Sequence, residues 1–157
     1  MVRKTEKETF KTGVIALENL HSYLLNRISH RYNKSIHKEL GKIGLTTITT
    51  RVLMSLKVLG GLSVNELCVH AIAEQPTMSK ALKRLASEGL VESYSDEQDS
   101  RIRMVRLTAA GKKTYTKIWP VIAEQNNAMM DGISAADQEI ARRVLTKMLD
   151  NIRVNRF

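Results

Sequence analysis

Apolar residues recur along the first third of the chain at intervals that predict two helices. One stripe with three- and four-residue spacing predicts a helix over about residues 9–32. Its members are Phe10, Val14, Leu17, Leu20, Leu24 and Ile28. Gly41 and Gly44 interrupt the pattern, and a second helix is predicted over 47–59, where the pair Gly60-Gly61 ends it. Its inward residues would be Ile48, Val52, Leu53, Leu56 and Leu59.

Two shorter helices are predicted next, separated by a turn. Ser63 followed by Glu66 has the spacing of a capping box, which marks a helix start. After the turn, Pro76 is suited to the first position of another helix, where no N–H is needed, and Gly89 would end that helix. Its inward residues, at spacing i, i+3, i+4 and i+7, would be Met78, Ala81, Leu82 and Leu85.

The pattern then changes to a hairpin followed by two more helices. Residues 90–95 and 102–107 predict antiparallel strands joined by a loop over 96–100, with Val105 and Leu107 on the buried side. Thr108 is suited to cap a long helix that ends near residue 130 and bends at Pro120. Ser134 and Asp137 start a last helix, whose apolar stripe is Ile140, Val144, Met148 and Ile152.

This order of elements predicts a mainly α fold with a small β-hairpin, arranged as a winged helix-turn-helix. Periodicity alone slightly favours an ordinary helical hairpin over 63–89. The polar, basic outer face of its second helix, followed at once by a basic hairpin, favours a DNA-binding lobe. We expect a single domain over 1–157, with this lobe at 44–111 and helical regions at 1–43 and 112–157.

Charge supports a polyanionic partner. The chain holds 25 Lys and Arg against 16 Asp and Glu, a formal net charge of +9. That balance favours nucleic acid or an anionic membrane, although a basic protein without such a partner remains the alternative. No apolar run approaches the ~20 residues that span a bilayer. The N-terminus is charged and no apolar signal-peptide region follows it, and the single cysteine suits a reducing cytoplasm. We therefore expect a cytoplasmic protein without a membrane partner.

The helix after the turn carries side chains suited to a major groove. An α-helix fits that groove, and its N-terminal outward residues reach base edges. The candidates are Gln75, Pro76, Thr77, Ser79, Lys80, Lys83 and Arg84. The hydroxyls of Thr77 and Ser79 can donate or accept near bases, and the lysines can reach guanine edges or phosphates. Arg84 suits a phosphate contact or a contact within the protein.

The hairpin loop and its return strand supply three further candidates, Asp99, Arg101 and Arg103. We expect Arg101 to enter the minor groove, where the electrostatic potential is most negative. Asp99, two residues earlier, can hold the guanidinium by a bidentate pair and so fix its direction. The alternative is a solvated loop with an incidental ion pair that contributes under ~1 kcal/mol.

The run Asp99-x-Arg101-x-x-x-Val105-x-Leu107-Thr108-x-x-Gly111 resembles the wing signature of the MarR (multiple antibiotic resistance regulator) family. The stretches "PTMSKALKRLASEGLV" and "GLTTITTRVLMSLKVLGGLSVNEL" are similar to that family's recognition helix and to the two helices before it. The sequence departs from the family at Glu97 and Gln98, where relatives often have proline and a basic residue. It departs again at Ile72, where many have glycine in the turn.

The resemblance implies a homodimeric transcription factor, most simply a repressor, that binds a palindromic double-stranded operator. Both chain ends would intertwine to form the dimer. A small molecule would release the DNA from a cleft between the first, second and fifth helices. The first helix offers candidates for an anionic or aromatic ligand, namely His21, Tyr23, Arg27, His30 and Arg31. Met129, Met130 and Met148 could line such a pocket or form the dimer core.

Other chemistry finds little support in the sequence. Cys68 lies far from the N-terminal position of the family's peroxide-sensing cysteine, so we expect a buried, inert thiol. The four histidines lack metal-ligand spacing, although His30 and His37 would share a face if the helix continued past Asn33. No catalytic or phosphate-loop motif occurs, so we expect neither an enzyme nor a cofactor or metal.

Two other classes of function predict different sequences. A winged helix used as a protein-interaction module, without specific DNA binding, would carry apolar or acidic residues on its wing and second helix. An RNA binder would carry stacking aromatics, whereas Tyr94 is the only aromatic residue near the candidate site.

Overall fold

The structure is a computed structural model, and it describes residues 16–96, Asp99 and residues 101–152. The chain divides into two compact units, residues 1–35 and residues 36–157, which are described separately below. Of the features singled out in the sequence, Phe10, Val14, Glu97 and Gln98 lie outside the described residues.

The N-terminal unit holds a 3₁₀ turn, Leu17–Asn19, and most of helix α1, which spans His21–Lys42 and continues into the second unit. The predicted single helix over 9–32 is therefore wrong in its described part. Leu20 has an extended backbone (φ −89°, ψ 113°) and separates the turn from α1. The helix also continues beyond Tyr32, because Ile36 and Leu40 extend it with buried apolar side chains before Gly41.

Helix α2 spans Thr47–Leu59, as predicted. It begins at a capping box in which the side chain of Thr46 accepts from the N–H of Thr49, and the Thr49 hydroxyl accepts from the N–H of Thr46. Val52, Leu53 and Leu56 are buried, and Ile48 is half-buried. The prediction that Leu59 faces inward is wrong: it is 51% exposed, because it is the last helical residue before the chain turns at Gly60.

A small sheet follows, with strands β1 (Leu62–Ser63), β2 (Val91–Ser95) and β3 (Arg103–Leu107). The sheet is antiparallel in the order β1-β3-β2. The hairpin β2-β3 was predicted, and Val105 and Leu107 are buried as expected. Strand β1 was not predicted, because its two residues pair with Val105 and Met104, which are distant in the sequence.

Helices α3 (Val64–His70) and α4 (Gln75–Ser87) lie between β1 and β2. The predicted capping box of Ser63 and Glu66 starts α3. Pro76 is the second residue of α4 and not the first, at a position where its missing N–H still costs no helical bond. The inward face of α4 is as predicted, with Leu82 half-buried and the remaining members buried; these are Met78, Ala81 and Leu85.

Helix α5 spans Ala109–Met129, with Pro120 inside it. Its start explains why Thr108 and Gly111 occur at the end of the run that begins at Asp99. The hydroxyl of Thr108 accepts from the N–H of Gly111 (3.0 Å) and donates to the carbonyl of Gly89 (2.7 Å). A Cβ on Gly111 would overlap the backbone carbonyl of Leu90. Only glycine therefore allows this junction between the sheet and α5 to close.

Helix α6 spans Ala135–Ile152, and Ser134 accepts from the N–H of Asp137 at its start, as predicted. The core of the second unit surrounds α2, which packs against α3, α4, α5 and β3. The predicted apolar stripe of α6 is not part of that core, since Ile140, Val144 and Ile152 are exposed. Within the described ranges, no helix is long and apolar enough to cross a membrane.

Candidate nucleic-acid interface

Helix α4 presents a polar, basic face opposite its buried stripe. All seven predicted recognition residues are exposed, namely Gln75, Pro76, Thr77, Ser79, Lys80, Lys83 and Arg84. The burial of Met78, Ala81 and Leu85 fixes the rotation of the helix and turns these side chains outward. The face combines hydroxyl groups and lysines within the first turns of the helix.

Two members of this face have partners within the protein. The side-chain amide of Gln75 donates to Asn65 Oδ1 on α3 at 2.7 Å, which ties the two helices together across the turn. Arg84 donates from Nε to Glu88 Oε1 at 2.7 Å and from Nη2 to the carbonyl of Gly44 at 2.8 Å. Of the two roles considered for Arg84, the structure supports the contact within the protein.

The turn between α3 and α4 contains a strained residue. Ile72 has a φ of +55°, in the left-handed region, although it is β-branched. Its N–H donates to the carbonyl of Val69, and the N–H of Ala73 donates to that of Cys68. This pair of bonds is a Schellman motif, whose left-handed position usually holds glycine. Ile72, where many relatives have glycine, therefore adopts the geometry of this turn at a cost in backbone strain.

The wing is the β2-β3 hairpin, and its tip holds the predicted bidentate pair of Asp99 and Arg101. Arg101 donates from Nε to Asp99 Oδ1 (3.0 Å) and from Nη2 to Asp99 Oδ2 (2.9 Å). The hydrogen bonds from the side chain and backbone N–H of Arg101 hold the pKa of Asp99 below its usual value, and the same pair raises the pKa of Arg101. The guanidinium is thus oriented while its side chain stays 89% exposed.

The loop around this pair is itself closed by hydrogen bonds. The N–H of Asp99 donates to Asp96 Oδ1 at 3.1 Å, and the N–H of Ile102 donates to the carbonyl of Asp99 at 2.9 Å. The N–H of Asp96 donates to the carbonyl of Ile102, so the two strands close directly below the tip. Ile102 therefore belongs to this turn, and β3 begins one residue later than predicted, at the exposed Arg103.

Tyr94 makes two contacts on one face of the wing, near its tip. The guanidinium of Arg106 lies over the Tyr94 ring at 4.9 Å from its centroid, and Arg106 Nε donates to Glu92 Oε1 at 2.7 Å. A Cβ on Gly61 would overlap the Tyr94 hydroxyl. Glycine at this position therefore allows the wing to pack closely against the chain that follows α2. The sequence pattern did not reveal this contact.

Four of the five predicted ligand-binding residues come together in the N-terminal unit. Together with Asn26, they line a groove of about 400 Å³ along one face of α1; they are Tyr23, Arg27, His30 and Arg31. Arg27 Nη1 donates to the Tyr23 hydroxyl at 3.0 Å. His21 does not line this groove. Asn26 was missed, although its three-residue spacing from Tyr23 places it on the same face.

Cys68 lies on α3 as expected but is half-buried, so the prediction of a buried thiol is wrong. Burial and the charge of Glu74 raise its pKa, which disfavours the reactive thiolate. Helix α1 does continue past Asn33, so His30 and His37 lie two turns apart on it. No cluster of three or more potential metal ligands occurs in the described part of the chain.

Known proteins match this chain over most of its length. The HTH-type transcriptional repressor IacR of Pseudomonas putida is 30% identical over 135 residues, which cover 86% of this chain and 81% of that protein. A crystal structure of a MarR family transcriptional regulator from Silicibacter pomeroyi is 38% identical, with a TM-score of 0.85, and covers 91% of this chain and 97% of that one. These relatives are transcriptional regulators and not enzymes.

A DNA complex is also among the similar structures. The S. aureus MepR–DNA complex has a TM-score of 0.75 at 26% identity and covers 88% of this chain and 100% of that one. The family model described as MarR family matches residues 43–102, which span α2 to the wing. The predicted winged fold and family resemblance are confirmed: this chain belongs to the MarR family and is a DNA-binding transcriptional regulator.

Proposed function

We propose that this protein is a homodimeric repressor that binds a palindromic operator and releases it when a small anionic or aromatic ligand binds. Residues 44–111 would form the DNA-binding lobe, and residues 1–43 and 112–157 would supply the dimerisation helices. The observation that carries the proposal is the combination of an exposed basic face on α4 with an oriented arginine at the wing tip.

On this proposal, α4 reads the major groove. Thr77 and Ser79 lie in its first turns, where short side chains leave room for the helix to approach base edges. Lys80 and Lys83 are exposed and long enough to reach guanine edges or phosphates. Arg84, with two partners inside the protein, would support the turn geometry and at most add a phosphate contact.

The wing would read the adjacent minor groove. Arg101 supplies the inserted cation, and Asp99 fixes its direction before DNA arrives. A side chain that is already oriented loses less conformational freedom on binding than a free one, so more of its interaction energy appears as affinity. An acidic residue at the tip of a DNA-binding wing is therefore compatible with tight binding.

Dimerisation is supported by apolar residues that each unit leaves exposed. Leu24 and Ile28 on α1 are exposed, and so are Ile140, Val144 and Ile152 on α6. Burying apolar surface contributes ~25 cal/mol per Å², and a second copy of the chain supplies the same stripes. A palindromic operator follows from a two-fold dimer, because each lobe would meet the same half-site.

Regulation by a ligand is supported by the groove along α1. Two arginines and a histidine favour an anionic group, and Tyr23 offers a ring for an aromatic one. IacR is named a repressor, and we extend that mode of action to this chain as part of the proposal.

The proposal is tested with the DNA immediately upstream of the encoding gene. We expect an inverted repeat there, and we expect the purified protein to shift it in a gel at concentrations that leave a scrambled duplex free. Sedimentation at micromolar concentration should show a dimer without DNA. Equal binding to repeat and scrambled DNA, or a folded monomer, would contradict the proposal.

A further inference from the structure

The wing carries a small polar pocket beside its oriented arginine. The pocket has a volume of about 260 Å³ and is lined by Ser93, Tyr94, Ser95, Arg101 and Arg103. It is distinct from the groove along α1, and no sequence feature had singled out the two serines.

The strand register explains why the side chains of Ser93, Ser95 and Arg103 meet, while that of Tyr94 projects from the opposite face. Ser95 and Arg103 are direct antiparallel partners, and residues that pair in this way project from the same face of a sheet. Ser93 lies two residues before Ser95 and so shares that face, whereas Glu92 and Arg106 form their ion pair on the other face. Arg101 completes the pocket from the tip.

The lining has the chemistry of an oxyanion site. Two hydroxyl groups can donate hydrogen bonds, and two guanidinium groups supply positive charge and planar donors. Asp99 pairs with the Nε and Nη2 atoms of Arg101, so Nη1 is not part of that pair. None of the described lining residues carries a carboxylate.

The volume argues against an organic effector. Pockets for small organic molecules have volumes of ~300–1,000 Å³ and are mostly apolar. This pocket is smaller, and the side chains of all five lining residues end in a hydroxyl or guanidinium group. A single phosphate with part of its hydration shell fits that chemistry better.

We propose that this pocket holds one backbone phosphate of bound DNA, next to the minor groove that Arg101 enters. The inference rests on the proposed function, since it requires the wing to lie on DNA. Arg103 supplies the charge, and the hydroxyls of Ser93 and Ser95 donate to the phosphate oxygens. Arg103 is then a phosphate contact without a role in reading bases, which separates it from Arg101.

The first test compares Arg103 and Ser95 by salt dependence. Arg103→Ala should lower affinity roughly tenfold for specific and non-specific DNA alike, as expected for a charge-assisted hydrogen bond. It should also reduce the slope of log affinity against log salt by about 0.9, the value for one phosphate. Ser95→Ala should weaken binding without changing that slope, because it removes a donor but no charge.

Two variants serve as controls for this test. Arg143→Ala removes the same charge from an exposed position on α6. It should change DNA affinity by less than about twofold, well below the loss expected for Arg103→Ala. Arg103→Lys keeps the charge but not the planar fork, so it should retain the salt slope while losing part of the affinity. An unchanged slope in Arg103→Ala would overturn the proposal.

The decisive experiment is a methylphosphonate scan, in which single phosphates of the operator are replaced by neutral linkages. At one position in each half-site, the replacement should weaken the wild type but have no further effect on Arg103→Ala. At all other positions, it should weaken both proteins equally. If both proteins bind and respond equally at every position, the phosphate site is wrong while the proposed function stands.

Two other outcomes separate the remaining possibilities. If the wild type binds no DNA, the proposed function fails, and the inference that rests on it fails too. Free phosphate could instead occupy the pocket, so inorganic phosphate is added against chloride at matched ionic strength. Competition by phosphate that Arg103→Ala abolishes, together with a scan that shows no coupled position, would assign the pocket to a free anion and overturn the DNA contact.

Discussion

Arg101 and Asp99 form a two-point contact at the wing tip, with Nε–Oδ1 at 3.0 Å and Nη2–Oδ2 at 2.9 Å. The backbone N–H of Arg101 donates to the same Oδ1 atom, also at 3.0 Å. Three bonds to one carboxylate restrict the direction of a side chain that is otherwise surrounded by solvent. Because exposed ion pairs contribute little to folding, the effect of this pair should appear in DNA binding.

A double-mutant cycle measures that effect. Asp99→Ala makes the net charge more positive, so simple electrostatics predicts tighter DNA binding. If Asp99 orients Arg101, the same change should weaken binding, and the double variant should be little worse than Arg101→Ala alone. Operator affinity at fixed salt decides between them, with thermal melts as a control for folding. Tighter binding by Asp99→Ala, or additive losses, would contradict the orienting role.

The same pair predicts a pKa that NMR can measure. The hydrogen bonds from Arg101 lower the pKa of Asp99, so the pair is intact at neutral pH and is lost as the pH falls through that depressed pKa. In Arg101→Ala the pKa of Asp99 should rise towards its usual value, though only part of the way, because the backbone N–H of residue 101 still donates. A pKa that does not change in this variant would show that the side-chain contact is absent in solution.

The turn between α3 and α4 predicts a stabilising substitution. A left-handed backbone conformation costs an L-residue ~1–2 kcal/mol. Glycine avoids that cost but loses ~0.5–1 kcal/mol of stability, because its unfolded chain has more conformational entropy. Ile72→Gly should therefore stabilise the protein by about 1 kcal/mol, since the 72% exposed side chain loses little burial. Ile72→Ala, which keeps a Cβ, is the matched control. Urea unfolding should rank glycine above alanine, and the reverse order would contradict the strain.

Gly61 predicts a specific pair of substitutions. Gly61 does not have a positive φ, so the cost of a side chain there is steric overlap with the Tyr94 hydroxyl. Gly61→Ala should destabilise the protein by ~1–3 kcal/mol, typical of overpacking. In a Tyr94→Phe background, where the hydroxyl is absent, the loss should be smaller. Equal losses in both backgrounds would place the overlap elsewhere.

Much of the fold follows from local signals in the sequence. The starts of α3 and α5 were predicted because Ser63 and Thr108 cap helices through contacts with residues three positions on. The inward stripe of α4 was predicted because its residues are also only three or four positions apart in the sequence. The bidentate contact at the wing tip also spans only two residues, so its spacing was sufficient to predict it.

The features that were missed depend on contacts between distant parts of the chain. Strand β1 exists because Leu62 pairs with Val105, and no local pattern announces a strand of two residues. The continuation of α1 depends on the burial of Ile36 and Leu40 by the rest of the second unit. The wing pocket needs the register of β2 and β3, which aligns Ser95 with Arg103. The apolar spacing predicted the strands but not that alignment.

We expect the outer face of α4 to read the operator sequence. The most direct measurement is the ratio of operator affinity to scrambled-DNA affinity, at fixed salt, for the wild type, Lys80→Ala and Lys83→Ala. If a lysine contacts a base, its removal should weaken operator binding by ~1–3 kcal/mol and lower that ratio. If neither variant changes operator binding, this face of α4 does not read the DNA.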